Sequence, residues 1–65
     1  MCLLKIYVND ARNGGRRLVA ENVALIAADR GCIKILNVDA EERILPNMKI
    51  SLIDALNSIV IIESQ

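Results

Sequence analysis

Apolar and polar residues alternate through most of this chain with a period of two, the mark of half-buried β-strands. Over residues 2–8, Cys2, Leu4, Ile6 and Val8 fall on one side, and Leu3, Lys5 and Tyr7 on the other. Asn9-Asp10 and Asn13-Gly14-Gly15 follow, residue types that tolerate positive φ and favour tight turns. Strands are predicted over 17–21 and 23–28, the latter ending in a hairpin turn at Asp29-Arg30-Gly31. Residues 32–38 alternate Cys32, Lys34 and Leu36 against Ile33, Ile35 and Asn37, and their β-branched content supports a fourth strand.

Asp39-Ala40-Glu41 reads as a polar turn. A short strand over 42–45 is closed by Pro46 and Asn47. Residues 49–56 and 59–63 predict a last hairpin across Asn57-Ser58. Within it, the unbroken run Ile59-Val60-Ile61-Ile62 implies a strand buried on both faces. One face would line a barrel and the other would meet a second subunit.

A helical reading competes in two places. Leu18, Asn22, Leu25 and Ala28 fall near one helical face, with Gly31 placed as a C-cap, and Ser51 could cap a single turn up to Leu56. Short strands regularly separated by turns nevertheless favour an all-β fold, a small closed or nearly closed barrel forming one domain over residues 1–65.

Composition adds an expectation of self-association. The chain has 65 residues, of which 54% are apolar, and so small a domain cannot hide all of that surface inside itself. Eight basic residues balance eight acidic ones, with no histidine, so the electrostatic footprint of a nucleic-acid binder is missing. The basic clusters are Arg12 with Arg16 and Arg17 around the glycine turn, and scattered Lys5, Lys34 and Lys49, which read as solvated faces. Tyr7 is the sole aromatic, too few for base stacking. No signal peptide or membrane segment is visible, since Lys5 interrupts the early apolar residues and the apolar run at 59–62 is too short to span a bilayer. The expectation is a cytoplasmic protein without a membrane partner, in which two cysteines do not form a structural disulfide.

Candidate chemistry concentrates on Cys2, directly behind Met1. A small second residue lets the initiator methionine be trimmed, which would leave a thiol and a free α-amine on one residue. Those two groups close a five-membered chelate ring around a metal, and the backbone amide of Leu3 lies within reach as a third donor. Thiolate and nitrogen donors suit late first-row ions, and a square plane points to Ni(II) or Cu(II). One chain offers too few donors, so two chains related by a two-fold axis would complete the set. The competing reading makes Cys2 a small apolar residue packed in register with Leu4 and Ile6.

Cys32, without a second ligand at metal spacing, reads as a core or sheet-face residue, and the two cysteines form no CxxC motif. Asp39, Glu41 and Glu42 lack the spacing of a calcium loop and read as a solvated turn. A terminal cysteine using its own amine as base would need a pocket and an oxyanion hole, for which so short a chain has little wall. No catalytic residue is assigned, and the expectation is a protein that is not an enzyme. Two further classes stay open: a small-barrel RNA-binding or protein-interaction module, and a purely structural assembly subunit.

The opening Met1-Cys2-Leu3-Leu4-Lys5-Ile6-Tyr7-Val8 resembles the start of the CooT family of small nickel-binding proteins. The length, the glycine-containing first turn, Glu21-Asn22-Val23 and the closing hairpin over 50–62 are also similar. The resemblance covers nearly the whole chain and rests mainly on the Met-Cys start. It implies a Sm/SH3-like barrel of five to seven short antiparallel strands, a homodimer, and Ni(II) held by Cys2, with Leu3 contributing its amide nitrogen. It also implies a role as metallochaperone or nickel store in maturing a nickel enzyme such as carbon monoxide dehydrogenase, with a maturation protein or the apo-enzyme as partner. Asp39-Ala40-Glu41 lacks the glycine expected in that turn.

Overall fold

The computed structural model describes residues 2–10 and 15–65. Six strands form one mixed sheet: β1 (Leu4–Asp10), β2 (Gly15–Asp29), β3 (Cys32–Asn37), β4 (Glu42–Pro46), β5 (Met48–Asp54) and β6 (Ile59–Ser64). Their order is β4-β3-β2-β1-β6-β5. The fold is all-β; of the two stretches with helical competition, the first is extended, and the second is extended over Ser51–Asp54 and turns at Ala55-Leu56. Of the turn expected around Gly14, Ala11, Arg12, Asn13 and Gly14 lie outside the described residues, and Asp10 pairs with Gly15 across it.

Two features differ from the sequence expectation, and a third falls within it. The strands foreseen over 17–21 and 23–28 are one continuous strand, because Asn22 takes a left-handed conformation (φ 54°) without ending the pairing. Around that point β2 advances from Leu18 to Val23 while β1 moves only from Tyr7 to Leu4. The extra residues bulge and bend β2 strongly. Its first half then pairs with β1 and its second half with β3. The sheet is also not purely antiparallel, since β1 and β6 run parallel, Lys5 beside Ile59 and Val8 beside Ile62. Lastly, it is barrel-like but not closed by strand pairing. The two edge strands β4 and β5 are joined only through Asn47 (φ 59°), a residue type that tolerates this conformation. The Met48 amide donates to the Gly31 carbonyl (2.9 Å) and the Gln65 amide to the Asn47 carbonyl (3.0 Å), fastening that corner.

The bend in β2 folds the sheet over a single core. Ile6, Val60 and Ile62 enter it from one half, and Val23, Ile33 and Ile35 from the other, all essentially inaccessible to solvent. Leu4, Val8, Ala20, Leu45 and Ile50 pack around them. The double burial read from the run at 59–62 is present, with Val60 and Ile62 facing this core and Ile61 buried at 3% exposure on the opposite face.

The turns explain themselves residue by residue. Arg30 and Gly31 both have positive φ (52° and 75°), as a two-residue hairpin requires to match strand twist. Between β3 and β4, the Ala40 amide donates to the Asn37 carbonyl, and Ala40 itself sits at φ 62°, the three-residue hairpin form with a left-handed third residue. The Asn37 side-chain oxygen accepts from the amides of Asp39 (2.9 Å) and Glu41 (3.0 Å), pinning the loop.

Between β5 and β6, Asp54 accepts from the backbone amide of Asn57 (3.1 Å) and from its side-chain amide (2.9 Å). These bonds, the side-chain one first, hold the Asp54 carboxyl below its ordinary value of 3.8. A depressed folded-state pKa supports the fold above the unfolded value, and that support fades as pH falls below 3.8 through the folded value. Asn57→Ala should therefore move the Asp54 carboxyl resonance, followed by NMR titration, back upward. An unchanged midpoint would show that these hydrogen bonds do not set it.

Candidate metal centre

Cys2 and Leu3 precede β1 and belong to no strand. The strand expected to start at residue 2 begins at Leu4, because Leu4 is the first residue with a register partner, Val23. Cys2 is consequently exposed, a free thiol rather than a packed one, so the core reading of this residue does not hold. Leu3 is half-buried. Among the described residues, no backbone hydrogen bond outside the strands involves Cys2 or Leu3; the first is the Lys5 amide to the Ser58 carbonyl (3.0 Å). The Leu3 amide therefore stays outside the sheet ladder.

The surroundings of this end follow from the register. Lys5 is beside Ile59, which pairs with Asp54, and Leu4 pairs with Val23, which pairs with Asn37. Leu56, in the turn that follows Asp54, is therefore at the same end of the sheet as Cys2, and it is 92% exposed.

Cys32 opens β3, half-buried, paired with Asp29 on one side and Pro46 on the other. It is a sheet residue far along the chain and the sheet from Cys2. Among the described residues, no group of three or more histidine, cysteine, aspartate or glutamate side chains could hold a metal ion. Any site at Cys2 must therefore draw further donors from backbone nitrogen, the α-amine or another chain. The Glu41 carboxylate is engaged in the Asn37-centred turn, where it accepts from the Asn37 side-chain amide (2.8 Å), while Asp39 contributes its backbone amide there. Glu42 pairs with Lys34 across β3 and β4 (3.3 Å).

The basic cluster read around the first turn separates in space. Arg16 and Arg17 are both on β2 rather than on a loop, opposite Asn9 and Val8, and successive strand residues point to opposite faces. Arg17 borders an open groove with Val8, Val19, Arg43 and Leu45, where Arg43 donates to the Val19 carbonyl (2.8 Å). The two arginines therefore leave opposite faces of β2. Arg12 lies outside the described residues.

Among the described residues, no helix is long and apolar enough to cross a membrane. No protein-family model matches the chain, and no curated protein is significantly similar to it in sequence.

Proposed function

We propose that the chain is a nickel-binding accessory protein that holds Ni(II) through the Cys2 thiolate, with two chains completing the donor set. The observation that carries this reading is the exposed, unpaired Cys2 thiol, set outside the sheet beside a backbone amide at Leu3 that the ladder does not use. The opening resemblance to the CooT family points the same way. The thiolate supplies charge and a soft donor, the Leu3 nitrogen is the next donor along the backbone, and the α-amine joins where Met1 is removed. Such a set fits a square-planar late first-row ion. Nickel bound there would be cargo for a nickel enzyme such as carbon monoxide dehydrogenase, received from or passed to a maturation partner in the cytoplasm. The role is binding and holding rather than catalysis.

Ligation needs deprotonated groups, so affinity should fall as the medium becomes acidic. Nickel titration of protein with native termini, followed by calorimetry and by the thiolate-to-metal absorption, should saturate at half an ion per chain. Cys2→Ser should abolish that binding. Unchanged stoichiometry and affinity in the variant would overturn the assignment. An affinity tag fused ahead of Met1 should weaken binding, and identical binding would remove the α-amine from the donor set.

A further inference from the structure

Two cations stand on the core-facing side of the sheet. Arg17 pairs with Val8, and Arg43 with Ile35. Direct partners on antiparallel strands share a face. Both arginines therefore leave their strands on the side of the buried Ile35 and of Val8, which packs on the core. A charge on that side is costly unless it reaches water or a partner. Both reach water through one open groove of about 900 Å³, a size common among ligand sites. Val8, Val19, Leu45 and Met48 supply its apolar walls.

A β-bulge sets one of these cations in place. Between the Tyr7–Leu18 and Ile6–Ala20 pairs β2 gains one residue, Val19, and a bulge leaves such a residue out of the ladder. The Val19 carbonyl accepts instead from Arg43 Nη1 (2.8 Å), a bond that reaches from β4 to β2. Arg17 stands two residues before Val19, so the two guanidinium groups border the same stretch of groove. Among the described residues, neither arginine has a carboxylate partner. The two acids that also border the groove are already engaged. Glu63 pairs with Lys49 (3.7 Å), and Asp10 has a partner of its own.

Charge and wall chemistry together select the ligand. Forked guanidinium donors match the two oxygens of a carboxylate. Asp10 and Glu63 at the rim disfavour a doubly charged group such as a phosphate monoester. The walls are aliphatic, and Tyr7, the sole aromatic, points to the opposite face from Val8, so no ring is stacked here. We propose that this groove binds an aliphatic monocarboxylate, with its carboxylate on Arg17 and Arg43 and its chain along Val8, Val19 and Leu45. The site goes beyond the nickel reading and does not depend on it. Cys2 precedes the start of β1, and the groove lies at the other end of that strand.

Octanoate is the probe, titrated into the full chain with a chelator present and followed by backbone amide NMR. Saturable shifts should centre on Val8, Val19 and Leu45. Octanol keeps the chain without the charge, and acetate keeps the charge without the chain. Each should bind about tenfold more weakly than octanoate, or worse. Arg17→Gln, altered at an exposed position, should raise the octanoate dissociation constant about tenfold while the remaining amide spectrum stays in place. Arg43→Gln should weaken binding as well, and because it also frees the Val19 carbonyl, Arg17→Gln decides should that variant unfold. No saturable shift, octanol or acetate binding as tightly as octanoate, or an unchanged constant in Arg17→Gln would each overturn the proposal. Shifts centred on Leu18, Tyr7 and Leu52 would mean adsorption to the outer apolar face, and would overturn it equally.

Discussion

Replacing Ile6 by alanine is expected to destabilise the fold by about 3 kcal/mol, the range for truncating a fully enclosed isoleucine. Ile6 is wholly inaccessible, with Ala20 opposite on β2 and Val60 beside it on β6. It stands on the strand that joins the first half of β2 to β6, so its side chain touches the seam of the core rather than its margin. The penalty combines lost transfer energy with the void left behind, because neighbours on two differently oriented strands cannot both move in. A chain of this length has a total stability of roughly 3–10 kcal/mol, so the variant should lose between about a third and all of it. Urea unfolding at fixed protein concentration measures it, with Ile53→Ala, at 62% exposure, as the contrast expected to change little. Equal losses in the two variants would mean that the core is not centred where the structure puts it.

The second large effect lies in the backbone and has opposite signs at two turns. Gly31→Ala should cost about 1–2 kcal/mol, since φ there is +75° and an L side chain rarely adopts it. The new Cβ would also meet the Gln65 side-chain oxygen at 2.9 Å, although that flexible group can swing away. Ala40→Gly should gain about 1 kcal/mol, because Ala40 already holds a left-handed φ of 62° at a steric cost that glycine does not have. Thermal or urea unfolding of both variants tests the pair. If both shift the same way, the turn conformations assigned here are not the cause.

Much of this architecture was readable from the residues, and the misses share one origin. The alternation Leu4, Ile6, Val8 against Lys5, Tyr7 gave β1, and the unbroken apolar run gave a strand covered on both sides. The turn Asp39-Ala40-Glu41 reads as lacking the glycine that the family resemblance implies, and it is Ala40 that takes a left-handed φ of 62°. What periodicity cannot carry is pairing between distant strands. Nothing local in residues 4–8 or 59–62 says that they run parallel, which is a property of how the chain returns. The continuity of β2 was hidden for a related reason. Glu21-Asn22 looks like a break in apolar content, yet Asn22 absorbs the bend in one residue and the ladder resumes on a different neighbour.

Cys2 carried two readings, a ligand and a packed thiol, and the structure answers only the second. Cys2 shares parity with Leu4 and Ile6, which suggested a buried thiol, but parity holds only where a partner strand exists. Leu4 is where that partner begins. The arginines show the converse, adjacent in sequence and separated to two faces by the pleat.

The parallel contact between β1 and β6 also governs when this molecule can exist as a folded object. The strand made first and the strand made last of the six are neighbours inside the sheet, so during synthesis the first fifty-odd residues have no completed core to condense upon (β6 begins at Ile59). β5 can attach only through β6, and Ile6 stays exposed until Val60 and Ile62 emerge. Contacts so distant along the chain make for slow closure. Folding is thus a late event that awaits β6, and a nascent chain waits with its apolar face uncovered until that strand arrives.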